Sequence, residues 1–238
     1  VFTEGHAASA TRQILKAIAY LHDRQVVHRD IKPDNVLVRD RRSFVIKVAD
    51  FGCSKILEKG VTTTVQSKRG YEQLMDSFVG TKVYAAPEIL RHKPYDATVD
   101  EYSTGVLVAL LLTGKHPLSD IEVDTNLALA SCDVPFLIDF HDKEWSRVNK
   151  AARDVARALA RCDPAKRIRA KEALRSFKWL DEDITEAPAL PDDVLERLRR
   201  TRLDGVQALA LRSVVSTPKV SSFAKEADKL FEALDADS

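Results

Sequence analysis

The chain has 238 residues, 37 Lys and Arg against 36 Asp and Glu, a formal net charge of +1, and 45% apolar and 31% charged residues. That balance excludes a disordered polyelectrolyte and lacks the basic excess of a nucleic-acid binder, so no nucleic-acid partner is expected. The longest strongly apolar run, Val106 to Leu112, falls far short of the roughly 20 residues that cross a bilayer, so no transmembrane segment is expected. No basic n-region with a cleavage site opens the chain. Cys53, Cys132 and Cys162 are odd in number and have no metal-ligand spacing, which fits reduced thiols in a reducing compartment and a cytoplasmic setting. The first residue is Val1 and the single methionine is Met75, the pattern of a fragment; an N-terminal acylation signal would lie upstream of Val1.

In chain order, Ile14, Leu15, Ile18, Ala19 and Leu21 give the stretch from Ala8 to Leu21 one apolar face, predicting a buried helix. Two short β-rich runs follow, Val36 to Val38 and Phe44 to Ala49, separated by charged residues as in a small hairpin. Lys55 to Gly80 is polar and predicts a long functional or mobile loop. From Val99 the pattern is helical again, and Gly105 to Leu112 is almost wholly apolar, which places that helix inside the globule. Ala151 to Arg161 and Ala170 to Phe177 read as amphipathic helices divided by the Asp163-Pro164 break. Pro188 and Pro191 mark a linker, and Asp192 and Asp193 open a further helix that stops near Thr217-Pro218.

The chemistry concentrates in His28-Arg29-Asp30-Ile31-Lys32-Pro33-Asp34-Asn35 and in Asp50-Phe51-Gly52, which begins fifteen residues after Asn35. Phosphoryl transfer asks a protein mainly for positioning and for neutralisation of phosphate charge. Asp30 can accept the proton of an acceptor hydroxyl, Lys32 can offset charge on the transferred phosphoryl group, and Asn35 with Asp50 can hold magnesium through hard oxygen ligands. An isolated Asp-Phe-Gly is the sequence of a turn; its distance from Asn35 is what makes Asp50 a metal-ligand candidate.

These segments resemble the catalytic loop and metal-binding motif of the eukaryotic protein kinases. Gly80-Thr81-Lys82-Val83-Tyr84-Ala85-Ala86-Pro87-Glu88 is similar to the end of that family's activation segment. Asp100, Ser103 and Gly105 match its central helix, with Tyr102 where tryptophan is usual. The resemblance implies a buried ion pair between Glu88 and Arg167 and a phosphate-pairing role for Arg29 on the activation loop; His28 is expected to pack and hydrogen-bond structurally, and Gly52 is placed with the structural residues of the activation segment. Lys32 resembles the serine/threonine branch, and Thr81 would reach back to Asp30 and Lys32. Asp34 stands where basophilic kinases carry glutamate, which implies protein substrates with basic residues upstream of the target Ser or Thr. The segment from Asp50 to Glu88 is long for the family and offers Thr62, Thr63, Thr64, Ser67 and Ser77 as phosphosite candidates.

The family's Gly-rich loop, strand lysine and hinge are not found in the sequence, so the resemblance implies a missing small lobe and a chain that binds nucleotide poorly and is inactive by itself. Pro191 to Ser238 resembles the junction of the calcium-dependent protein kinases, where an autoinhibitory helix leads to a calmodulin-like domain. Asp235 and Asp237 would then be positions one and three of a calcium loop cut at Ser238.

The expected architecture is therefore mainly α: a kinase-like large lobe over residues 1–180 with a small β-hairpin region, a linker and helical regulatory junction over 181–218, and the start of an EF-hand over 219–238. The expected activity is transfer of the γ-phosphoryl group of ATP to protein Ser or Thr, with magnesium, and with calcium regulation through the protein's own calmodulin-like domain. The alternative is an inactive kinase fragment that serves as a binding or regulatory module.

Overall fold

The computed structural model describes residues 3–40, 44–57, 82–91, 93–118 and 138–181, all within the first of the chain's two units, residues 1–194. Thr81, the phosphosite candidates, the linker, the junction helix and the calcium-loop residues Asp235 and Asp237 lie outside the described residues.

Helix α1 runs Glu4–Asp23, starting four residues before the predicted Ala8 because the Thr3 side chain caps it, accepting from the His6 N–H at 3.2 Å. Its buried face carries Ala7, Ala8, Ile14, Leu15 and Ile18. Past its end, Gln25 takes a left-handed φ of 61° and turns the chain into β1, Val26–Val27.

The predicted hairpin is present as β2, Val36–Asp40, and β3, Val45–Val48, antiparallel with Val36 opposite Val48. Ile46 and Val48 turn inward onto α1, whereas Leu37, opposite Lys47, is 45% exposed. A second antiparallel pair joins β1 to β4, Lys55–Ile56, with Val26 opposite Ile56. This pair closes the chain over the segment from Val27 to Ser54 and so brings the two sequence motifs together.

Helix α2, Pro87–Leu90, is short and begins with a proline at its first position. Helix α3, Val99–Thr113, is buried on nearly every face, as its apolar run predicted, and ends on Gly114 with φ 74°, whose N–H reaches Leu110 O at 2.8 Å. Helices α4, Lys150–Leu159, and α5, Ala170–Ser176, match the two predicted amphipathic stretches and flank the Asp163-Pro164 turn. Helix α1 packs on α3 and α5, and α3 packs on α4. No helix among the described residues is long and apolar enough to cross a membrane.

Gly105 sets the approach of α3 to α4. A Cβ at that position would stand 2.7 Å from Ala160 N and 3.0 Å from Leu159 C, both backbone atoms that cannot rotate away. Gly105→Ala should therefore lower unfolding stability by about 1 to 3 kcal/mol, the usual cost of overpacking, despite alanine's better helix propensity. Denaturant unfolding checks this, and a midpoint at or above that of the wild type would refute it.

Candidate phosphoryl-transfer site

The loop between β1 and β2 owes its shape to a carboxylate on α3. Asp100, fully buried in the first turn, accepts the backbone N–H of His28 at 2.8 Å and that of Arg29 at 2.7 Å. Arg29 is left-handed, with φ 68°, a conformation that costs a non-glycine residue about 1 kcal/mol or more and persists only when its surroundings enforce it. His28 Nε2 lies 3.1 Å from Ala49 O, and its ring meets Phe51 edge-on at 5.0 Å.

Asp100 also faces His22 of α1, whose Nε2 lies 2.9 Å from Asp100 Oδ2 while Nδ1 lies 3.4 Å from Glu101 Oε1. Burial alone would lower the His22 pKa, but hydrogen bonds to the two carboxylates outweigh it and raise the value to about 10. Asp100 is held below the usual carboxylate range: burial pushes it up, and its bonds to His22 and the backbone, with the His22 charge, pull it further down. His22 and Glu101 were not singled out in the sequence; the available signal was a histidine in the last turn of one helix and a second carboxylate beside Asp100 in an otherwise apolar one.

Within the loop, Asp30 is 6% exposed. Its Oδ2 receives Lys32 Nζ at 2.9 Å and Asn35 Nδ2 at 2.8 Å, and Asn35 Nδ2 also donates to Asp30 O at 2.7 Å. Asp30 Oδ1 is buried with no hydrogen-bond partner. Three of the four predicted catalytic residues therefore form one hydrogen-bonded group. The fourth, Asp50, is tied in through the hairpin: Ala49 N donates to Asn35 O at 2.8 Å where the β2–β3 ladder ends. Asp50 is itself left-handed, φ 63°, and its Oδ1 accepts Gly52 N–H at 3.1 Å. A Cβ on Gly52 would sit 3.1 Å from that same oxygen, so glycine leaves the carboxylate its room.

The donor set fits magnesium. With the Asn35 N–H groups turned to Asp30, the amide oxygen is its remaining polar atom, and Asp50 adds a carboxylate. Magnesium needs only one or two such ligands besides water and phosphate oxygens. No cluster of three or more His, Cys, Asp or Glu suited to a metal occurs among the described residues.

Arg29 donates through Nε to Cys53 O, and through a terminal nitrogen to the Tyr95 hydroxyl at 3.0 Å. Lys55, unremarked in the sequence, stands near it: burial, and then the Arg29 charge, lower the Lys55 pKa. Asp34 occupies the turn Pro33–Asn35 and acts electrostatically on Tyr84, whose phenol is pushed up by burial first and by Asp34 second.

The implied ion pair is present. Arg167 grips Glu88 in a two-pronged contact, 2.6 Å to Oε1 and 3.0 Å to Oε2, and both residues are buried. Arg167 further donates to Thr98 O at 2.8 Å and Arg161 O at 2.8 Å, and its guanidinium carbon lies 5.1 Å from the Tyr102 ring centroid. Ser103 anchors the preceding segment, donating to Tyr84 O at 2.8 Å. One expectation fails: Cys162 is disulfide-bonded, so three reduced thiols cannot be used to argue for a reducing compartment.

Asp30, one oxygen unfilled and the other held by Lys32 and Asn35, thus lies in a loop anchored to α3, and Asp50 follows the hairpin residue bonded to Asn35. The chain belongs to the protein kinase domain family, which matches it over residues 1–180. It is 34% identical to calcium/calmodulin-dependent protein kinase type 1 of Macrobrachium nipponense, over 84% of this chain and 53% of that one. It is 37% identical to calcium/calmodulin-dependent protein kinase type IV of Homo sapiens, over 93% and 44%, and 32% identical to a probable myosin light chain kinase of Dictyostelium discoideum, over 93% and 54%. The chain spans about half the length of these relatives.

The His22 pKa lies above its unfolded value, so its contribution to stability is complete below about pH 6.5 and is lost as pH rises through about 10. The Asp100 contribution is present above its unfolded pKa of 3.8 and is lost as pH falls below it. Unfolding free energy measured from pH 6 to 10 should fall for the wild type and fall less for His22→Asn, which should also be about 3 kcal/mol less stable at pH 6 because two buried carboxylates lose their cation. Parallel profiles for the two proteins would show that His22 carries no such charge.

Proposed function

We propose that the chain carries the phosphoryl-transfer residues of a protein serine/threonine kinase, acting with ATP and magnesium on protein substrates. The observation that carries this reading is the asymmetry of Asp30: Oδ2 is occupied by Lys32 and Asn35, which fixes the carboxylate, while the buried Oδ1 is unfilled. A substrate hydroxyl placed at Oδ1 gives up its proton there as its oxygen bonds to the γ-phosphorus of ATP and the bond from that phosphorus to the ADP oxygen breaks, ADP leaving with the electron pair. Lys32 offsets charge on the group in transit, and Asn35 and Asp50 are the ligands that would hold magnesium, which when bound neutralises phosphate charge. The nearby exposed side chain of Leu37 offers apolar surface on the hairpin. We place residues 1–180 as the large lobe of the kinase fold.

Asp34 supplies a carboxylate beside the acceptor loop and suits substrates with arginine or lysine upstream of the target residue. Arg29 and Lys55 together make a cationic pair able to receive a phosphate from the segment between Asp50 and Glu88. Regulation by calcium rests on the names of the relatives and on the basic, amphipathic sequence from Asp192 to Thr217, with Asp235 and Asp237 opening a calcium loop of the protein's own calmodulin-like domain.

Two measurements test these assignments on the whole protein with ATP, magnesium and an arginine-containing serine peptide. Asp30→Asn should lower kcat about 1,000-fold, within the range general-base catalysis supplies, with KM for ATP little changed; a loss under tenfold removes Asp30 from the role. Deleting residues 188–238 should raise calcium-free activity several-fold. No rise would end the autoinhibition assignment.

A further inference from the structure

Asp50-Phe51-Gly52 is gripped at both ends by the loop that carries Asp30. On one side, His28 Nε2 lies 3.1 Å from Ala49 O. On the other, Arg29 Nε donates to Cys53 O, and Ser54 Oγ donates to His28 O at 3.4 Å. The Arg29 guanidinium is therefore a strut from the residue before Asp30 to the residue after Gly52. Its outer end is tied as well, Nη1 donating to the Tyr95 hydroxyl at 3.0 Å.

Tyr95 is a firm point of attachment. It is 2% exposed and stands just before the turn into α3. That turn is closed by Asp96, whose Oδ1 accepts the Thr98 N–H at 2.9 Å and the Thr98 hydroxyl at 2.5 Å, and whose Oδ2 meets Arg169 at 2.9 Å. The Arg29 backbone is held independently, its N–H on Asp100 Oδ1 at 2.7 Å. Between these anchors lies a long side chain with much rotamer freedom to lose. A guanidinium is planar with its donors in fixed directions, so an acceptor on Nη1 also sets where Nε points. The Tyr95 oxygen thus aims Nε–H at Cys53 O. Asp50, left-handed at φ 63°, depends on such outside holds to keep its conformation.

We propose that Tyr95 is a positioning residue for phosphoryl transfer: its hydroxyl orients the Arg29 guanidinium and, through it, the Asp50 turn relative to Asp30. This rests on the kinase reading above. Tyr95 acts only through Arg29, as outer partners orient the side chains of a site.

Tyr95→Phe removes the hydroxyl and keeps the ring. Amide hydrogen exchange, followed by nitrogen-15 NMR on the full chain without nucleotide or metal, reads the turn directly, because the Ser54 N–H donates to Phe51 O at 3.0 Å. Exchange at Ser54 should rise about tenfold, the loss of one hydrogen bond from a charged group, while the N–H groups of α3 stay unchanged. In an Arg29→Met background the same substitution should add nothing, since the hydroxyl then has no guanidinium to orient. Equal rises in both backgrounds, or no rise in either, overturn the proposal. With ATP, magnesium and an arginine-containing serine peptide, kcat of Tyr95→Phe should fall about tenfold with KM for the peptide little changed. An unchanged kcat overturns the proposal too. The kinase reading is judged separately by comparing the wild type with Asp30→Asn. If the wild type transfers phosphate and Asp30→Asn does not, any failure belongs to Tyr95 alone; if the wild type transfers none, the kinase reading falls and the positioning role falls with it. Should Arg29→Met not fold, the Arg29 Nε–H resonance decides: it must move between the wild type and Tyr95→Phe, and a stationary resonance refutes the proposal.

Discussion

The constraint on which the structure depends is the Asp100 carboxylate. It sits in the first turn of α3, fully buried, and satisfies two successive N–H groups of a loop more than seventy residues earlier in the chain. Hydrogen bonds to a charged acceptor are worth about 1.5 to 3 kcal/mol each, enough to hold Arg29 in its left-handed conformation. With Arg29 so held, Asp30 enters the site at a fixed angle, and Lys32 and Asn35 close on its Oδ2. His28, fixed at the same point, reaches Ala49 and thereby places Asp50. A charge this deep would be costly alone; the His22 cation, shared with Glu101, makes it tolerable.

The Glu88–Arg167 pair does for the segment around Tyr84 what Asp100 does for the loop. It locks α2 to the turn before α5, and the additional bonds from Arg167 to Thr98, Arg161 and Cys162 meet most of its donor capacity. Such pairs add little net stability over apolar packing, but their loss is severe, because the remaining partner is left buried and unpaired. Their value is geometric. Ser103, three residues after Asp100 on α3, fixes Tyr84 O, so one helix holds both the acceptor loop and the segment facing it.

Much of this was legible in the sequence, for reasons that differ between residues. The grouping of Asp30 with Lys32 and Asn35 could be read because the residues are close in sequence and share one loop. Helices α3, α4 and α5 were legible because burial imposes a period on apolar residues, and the Glu88–Arg167 pair followed from family resemblance. The β1–β4 ladder was not legible: two-residue strands have no periodicity, and theirs arises from closure of the chain, Leu57 N reaching Gln25 O at 2.8 Å. His22 and Glu101 escaped because a pattern search rewards apolar residues at buried positions and says nothing of charges that neutralise one another there. Cys162 escaped because three cysteines in a sequence do not reveal which are covalently paired.

The unfilled polar atoms divide by what surrounds them. The Tyr102 hydroxyl is buried beside Arg167 and Glu88 without a partner; it stands where the family uses tryptophan, and its aromatic ring already contributes by lying near the guanidinium. No ligand can reach it at 0% exposure, and it is a tolerated cost inside the scaffold. Asp30 Oδ1 is different, because Lys32 Nζ and Asn35 Nδ2 are directed to the other oxygen, and Asn35 also to the backbone. His116 Nε2 is the reverse case, a donor with its acceptor missing, on a ring whose other nitrogen is committed to Leu118. Scaffold bonds thus fix one atom of each side chain and leave the second atom unsatisfied, an acceptor at Asp30 and a donor at His116.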